Sequence, residues 1–392
     1  MIKSTRLLSL DVMRGITIAG MIMVNNPGSW SSVYAPLRHV QWNGLTPTDL
    51  VFPFFMFIMG VSMDFSLRKY HDGFNREILA KILKRTCVIF AIGLFLSWFG
   101  NLCYQTFNIA DDSTTWWQRL TTSAFSFSHL RIMGVMQRLA LSYCGGAILS
   151  LIVKPSRFLW VAGGILIFYA ILLFAGHGFI ASPDNIIAIV DNTLFGANHM
   201  YREALPDGGS FPFDPEGLLS TLPCIPHVMF GMYAGRIIMN LRENTERIAE
   251  IFIFGTILLF TGCLLSYGIP VNKKIWSPTF VLITCGLASQ FLSLLIWIID
   301  MKKKKKWCNF FETFGTNPLF MYVLGSVLAI LLDSIRIPVD NHYINLKSLF
   351  YQNFLANWLP SYEASLLYAV LFIGLNWLFG YQLYKRKIYI KI

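Results

Sequence analysis

Charge is what this sequence has least of. Asp, Glu, Lys and Arg make up only 14% of its 392 residues, against roughly a quarter in soluble domains. A chain so poor in charge cannot present most of its surface to water. Long polar linkers are missing as well, so a single domain over residues 1–392 is expected, with no separate soluble module. The seven cysteines (Cys87, Cys103, Cys144, Cys224, Cys263, Cys285 and Cys308) lack CxxC spacing. Most fall inside apolar runs and read as small core residues, which argues against a disulfide frame or a metal site. No small-x-small cleavage site follows the apolar stretch at 15–24, so it is expected to remain as a first span although Lys3, Arg6 and Arg14 precede it.

What the chain does have is apolar length. Hydrophobic residues reach 55%, and a hydrocarbon layer of about 30 Å is crossed by roughly 20 of them in a helix. Ten segments qualify: 7–26, 49–67, 83–101, 132–153, 157–176, 216–238, 248–267, 277–299, 316–335 and 363–384. The expected fold is an all-α, polytopic membrane bundle of about ten helices. The net charge of +11 is spread through short flanks between apolar runs, which is a membrane pattern and not a nucleic-acid footprint. With the N-terminus placed in the cytoplasm, 23 Lys and Arg fall in inner segments and 8 in outer ones; Arg138 lies within a span. This asymmetry predicts both termini inside.

The first outer connection is crowded with polar groups. Asn25, Asn26, Arg38, His39, Trp42, Asn43 and Asp49 lie between two spans. Asp49 opens the second helix, where it or Thr48 suits an N-cap. Its carboxylate could equally face His39, fixing the imidazole tautomer and raising its basicity.

Several stretches resemble one known family. They are Ser9-Leu10-Asp11-Val12-Met13-Arg14-Gly15, the run at 39–60, Arg131-Ile132-Met133-Gly134-Val135-Met136-Gln137-Arg138-Leu139, Asp214-Pro215-Glu216-Gly217, the run at 274–280, and Gly315-Thr316-Asn317-Pro318-Leu319. In this order they are similar to the heparan-α-glucosaminide N-acetyltransferase family, and most of all to its compact bacterial members. The resemblance implies a single transmembrane acyltransferase domain in a bacterial inner membrane, using cytosolic acetyl-CoA as co-substrate. The acceptor it implies is the amine of a glucosamine or glucosaminide on the far side, with a homodimer as the suggested assembly. The family's catalytic histidine falls on His39 and a supporting asparagine on Asn25. An Asn25 amide donating to the oxyanion would contribute about 2.7–4 kcal/mol, by precedent of such donors.

Other candidates follow from position. Trp42, Asn43, His199, Asp214, Glu216 and Trp276 are expected at the outer, sugar-binding side. Asp214 and Glu216 also suit helix initiation around Pro215, and interfacial tryptophans are common without ligands. Arg14, Arg68, Arg85, Gln137 and Arg138 are candidates for the CoA side, with Lys69, Lys84, Lys154 and Arg157 as further phosphate partners. Most such cations simply anchor the inner face, whereas Arg138 stands out because a charge within a span is costly. An amino-sugar transporter is the alternative, since polar groups in broken helices suit transport too. The expected partners are an amino-sugar substrate and membrane lipids, with a second copy of the chain suggested by the resemblance, and no nucleic acid.

Overall fold

The computed structural model describes residues 7–68, 75–107, 115–205, 208–241, 243–339 and 342–390. Their helices in chain order are α1 (Leu8–Asn25), α2 (Pro47–Leu67), α3 (Arg76–Phe107), α4 (Trp116–Ala124), α5 (Val135–Ile152), α6 (Phe158–Ala175) and α7 (Ile186–Phe195). Then come α8 (Cys224–Asn240), α9 (Asn244–Leu265), α10 (Pro278–Leu295), α11 (Cys308–Thr316), α12 (Pro318–Ser334), α13 (Leu346–Phe350) and α14 (Ser361–Lys385). Two short antiparallel hairpins decorate the connections: β1 (Arg202–Ala204) with β2 (Ser210–Pro212), and β3 (Arg336–Val339) with β4 (His342–Asn345).

Each of the ten apolar segments contains a helix. Among the described residues eight helices are long and apolar enough to cross a membrane, or nine when α11 and α12, bent by 88°, count as one span. The protein is an all-α polytopic membrane bundle. The expected span at 216–238 starts late, at Cys224. Asp191 explains part of this shift, because its Oδ1 accepts the amides of Leu218 and Leu219 at 3.1 Å each and holds them in a turn. The resulting α8 has 17 residues and is buried on most sides.

The helices sort into an inner and an outer set. Two thirds of the apolar windows of α1 and α10 are buried, but only 22% of those of α3 and α9. The outward faces are apolar too: Ile253, Ile257, Phe260 and Leu264 form an exposed stripe on α9, and Ile167, Phe168, Ile171 and Phe174 do so on α6. Water would penalise those stripes at roughly 25 cal/mol per Å²; lipid tails, as apolar as leucine, do not.

Between inner helices, small residues set the spacing. A Cβ on Gly15 would lie 1.8 Å from the Phe311 carbonyl oxygen, and one on Gly315 would lie 1.9 Å from that of Asp11. Thus α1 and α11 touch backbone to backbone, as lipid-embedded helices do where packing, not hydrophobicity, drives association. The α2–α8 crossing repeats the device at Gly60 and Gly231. Beside it His227 Nε2 donates to the Pro53 carbonyl at 2.9 Å.

The long connection at 177–215 is packed, not loose. Tyr169 and Leu173 of α6 join Ile187, Ala188, Phe211, Phe213 and Ile275 in a separate buried cluster, with Trp42 against it. This outer layer carries polar side chains to the end of the bundle where α1 and α2 are joined.

Candidate active site

The site begins with the first turn of α2. Thr46 and Asp49 form a capping box: the Thr46 amide donates to Asp49 Oδ2 at 3.1 Å, and the Thr46 hydroxyl lies 2.9 Å from the same oxygen. The other oxygen, Oδ1, lies 2.6 Å from His39 Nδ1. Both readings of Asp49 are therefore realised at once, one oxygen each. A 2.6 Å contact with a carboxylate requires the proton on Nδ1, which assigns the tautomer. Nε2 of the neutral ring is then the free acceptor. Asp49 is fully buried, whereas 40% of the His39 side chain is accessible.

A second chain segment completes this corner. Lys273 Nζ lies 3.4 Å from Asp49 Oδ1 and 3.1 Å from His39 Nδ1. Burial pushes the Lys273 ammonium pKa down, and the Asp49 charge opposes that shift only in part. Lys273 is presented by a turn at 272–277 built around two buried side chains. Asn272 Oδ1 accepts from the Ile275 amide at 3.1 Å, and Ser277 Oγ accepts from the Asn272 amide at 3.0 Å.

A third group is an acid–base clamp. Arg131 Nε and Nη2 donate to the two oxygens of Asp214 at 2.8 and 2.6 Å, and Nη2 also reaches Glu216 Oε2 at 2.6 Å. Burial works against the Arg131 charge, but the two carboxylates overcome it and raise its pKa. Burial likewise pushes Glu216 up, yet the neighbouring Arg131 and Arg138 charges win and lower its pKa. Lys274 Nζ donates to Glu203 Oε1 at 2.7 Å.

These groups line one cavity of about 370 Å³, walled by His39, Asp49, Arg131, Arg138, Glu203, Glu216, Lys273, Lys274 and Trp276 among others. A smaller cavity of about 90 Å³ shares His39, Glu216 and Lys273 and adds Asn25, Phe52 and Tyr322. Such a site can hold a polar ligand against an imidazole whose free nitrogen accepts a proton.

The structure thus gathers His39, Asp49, Glu216, Trp276 and Arg138 in the larger cavity, with Asn25 in the adjoining one. Other candidates are engaged in different contacts. Trp42 Nε1 donates to the Phe179 carbonyl at 2.8 Å, Asn43 Oδ1 accepts from Asn272 Nδ2 at 3.0 Å, and His199 Nδ1 lies 2.8 Å from the Leu130 carbonyl. These three tie outer loops together, and Asp214 stands behind Arg131. Arg14 holds Asp11, Ser62 and the Gly315 carbonyl. Arg68 contacts Asn240, Arg85 lies over the Tyr143 ring, and Gln137 packs against Gly93. None of these four lines the larger cavity. Lys69 lies outside the described residues. Lys273, Lys274, Arg131, Tyr201 and Glu203 were not expected as site residues. The adjacent Lys273 and Lys274, in outer segments poor in cations, were one local signal, and Arg131 and Lys274 each open a stretch that carries the family resemblance.

Comparison with known proteins finds similarity over most of the chain. No family model matches the chain. Two curated proteins do match, both named heparan-alpha-glucosaminide N-acetyltransferase. The mouse (Mus musculus) protein is 27% identical over 444 residues, covering 99% of this chain and 61% of the relative. The human (Homo sapiens) protein is 28% identical over 369 residues, covering 81% of this chain and 52% of the relative. These matches support a family relationship. The chain spans about half to three fifths of the length of these relatives, and the shared stretch includes nearly all of its own helices.

Proposed function

We propose that the chain is a transmembrane N-acetyltransferase that moves acetyl from cytosolic acetyl-CoA to the amine of a glucosamine or terminal glucosaminide on the extracytoplasmic side. The observation that carries this reading is the His39–Asp49 pair, with its free Nε2, at the wall of a cavity large enough for a sugar. The names of the two relatives supply the substrate class.

Amine attack on a thioester needs an unprotonated nucleophile, a base and donors for the oxyanion. In this reading His39 Nε2 takes the proton released as the amine nitrogen bonds to the acetyl carbon. The C–S bond then breaks, and the departing thiolate of CoA receives the proton from the imidazolium. Asp49 holds the ring and its tautomer throughout. Asn25, in the adjoining cavity with His39, donates its amide to the oxyanion. A two-step route through acetyl on His39 Nε2 uses the same atoms. Glu216 and Trp276 belong to the sugar side, while Arg14, Arg68, Arg85 and Gln137 serve the CoA side. The membrane in this reading is a bacterial plasma membrane.

The decisive experiment uses purified protein in liposomes with acetyl-CoA and a panel of amino sugars. Release of CoA that depends on both the sugar and His39 is expected. Sugar flux without thioester loss would replace the enzyme reading with a carrier. A burst of one CoA per protein without acceptor would assign the two-step route.

A further inference from the structure

Among the described residues, the larger cavity holds one cation that makes no ion pair within 4 Å. Of its four basic lining residues, Arg131 is held by Asp214 and Glu216, Lys274 by Glu203, and Lys273 by Asp49. Arg138 is the fourth. It is 1% exposed, and its Nη2 donates to the Ser220 hydroxyl. Among the described residues it has no ion pair within 4 Å, and its Nε–H has no acceptor. The carboxylates of Glu216 and Asp191 feel the Arg138 charge without contacting it.

Beside Arg138 stands a second unmatched donor. Its guanidinium carbon lies 5.0 Å from the centre of the Trp276 ring. Trp276 is also 1% exposed and lines the cavity, and among the described residues its indole N–H has no acceptor. Its backbone has φ of 51°, in the left-handed region that a bulky aromatic rarely adopts. The Asn272–Ser277 turn holds that conformation, with the Trp276 amide donating to the Lys273 carbonyl at 3.1 Å. Phe52 and Phe280 meet the ring edge to face at 5.6 and 4.9 Å.

A buried aromatic stack could be structural alone. Structure alone, however, does not account for a buried guanidinium with no contacting carboxylate and an indole N–H with no acceptor side by side among the described residues, since both omissions are costly. Strain at a cavity wall points the same way. We propose that Arg138 and Trp276 form an anion subsite at a buried wall of this cavity. An acidic ligand oxygen, of a phosphate, sulfate or carboxylate, places a negative charge in direct contact with Arg138 and accepts from the two donors. Guanidinium suits such an oxygen better than an ammonium would. The acid can belong to the sugar or to the thioester donor.

The test measures binding, without turnover, on the full chain in detergent at fixed ionic strength. Calorimetry compares glucosamine 6-phosphate with glucosamine, and CoA with pantetheine. One of these pairs is expected to show at least ten-fold tighter binding of its acidic member. Arg138→Gln should abolish that ratio, and Trp276→Phe, which removes only the N–H, should lower it several-fold. A ratio in the sugar pair assigns the subsite to the acceptor, and one in the CoA pair assigns it to the donor. The proposal is overturned if neither pair shows the ratio, or if the ratio survives both substitutions. Should Arg138→Gln fail to fold, Trp276→Phe decides: a lowered ratio supports the subsite and an unchanged one refutes it. Acetyl transfer is assayed separately, so its absence would undo the proposed enzyme and leave this result standing.

Discussion

At the scale of single residues, Asp49 carries two duties on two oxygens, and substitutions can separate them. Thr46→Ala removes the hydroxyl beside Oδ2 and leaves the Oδ1–His39 contact untouched. It should cost about 0.5–2 kcal/mol of stability, as lost N-caps do, with kcat for CoA release retained. His39→Ala should do the reverse, lowering kcat on the order of 10²–10⁴-fold with little change in melting temperature. Near-normal transfer by His39→Ala would remove His39 from the mechanism. Asp191 offers a different handle. Burial raises its carboxyl pKa to about 6, against the opposing hydrogen bonds from the Leu219 and Leu218 amides. Between about pH 4 and pH 6 the folded chain keeps a proton that the unfolded chain has lost. Stability therefore falls as pH rises through that window and stays at the lower level above it, by at most on the order of 3 kcal/mol. Asp191→Asn, which can still accept the two amides, should flatten this slope in thermal melts at pH 5 and pH 7. A slope equal to that of the parent chain would exclude Asp191 as its source.

At the scale of elements, what the sequence disclosed depended on how local the cause was. Helix positions were legible because bilayer thickness imposes a length, and ten apolar segments each proved to contain a helix. The His39–Asp49 contact was legible because both residues sit at one helix start, ten positions apart. Lys273 was not, since 234 positions separate it from His39 and no periodic pattern spans that gap. The late start of α8 was hidden for the same reason: the amides that would have begun the helix are captured by Asp191, 27 and 28 positions away. Trp42 and His199 were expected on the sugar side from their position alone. Polar groups in an outer loop suggest a ligand, and the non-local contacts that the sequence did not disclose are the hydrogen bonds by which these two fasten one loop to another. The Arg131 clamp is the clearest non-local element, joining the segment before α5 to the segment before α8. Arg131→Met would leave Asp214 and Glu216 buried without their cation, a change that typically costs about 3–5 kcal/mol. A marked fall in melting temperature is expected, along with loss of CoA release. An unchanged melt would mean that water already screens both carboxylates.

At the scale of the whole molecule, one cavity draws on four separate connections. His39 comes from the link between α1 and α2, Arg131 from that between α4 and α5, Glu203 and Glu216 from that between α7 and α8, and Lys273 and Trp276 from that between α9 and α10. These connections must share one end of the bundle, whatever the end faces. Which side that end faces rests on the 23-to-8 division of Lys and Arg, and the same division gives the proposed reaction its direction. Single cysteines in a cysteine-free background test it. Ser31 and Tyr267 are exposed at the cavity end, and Lys304 is exposed in the connection after α10. A membrane-impermeant maleimide should label Ser31→Cys and Tyr267→Cys in intact cells, and Lys304→Cys only after the membrane is opened. The opposite pattern would place His39 in the cytosol beside a soluble thioester. The acetyl group would then have no membrane to cross, and the transmembrane direction of the proposed transfer would be lost.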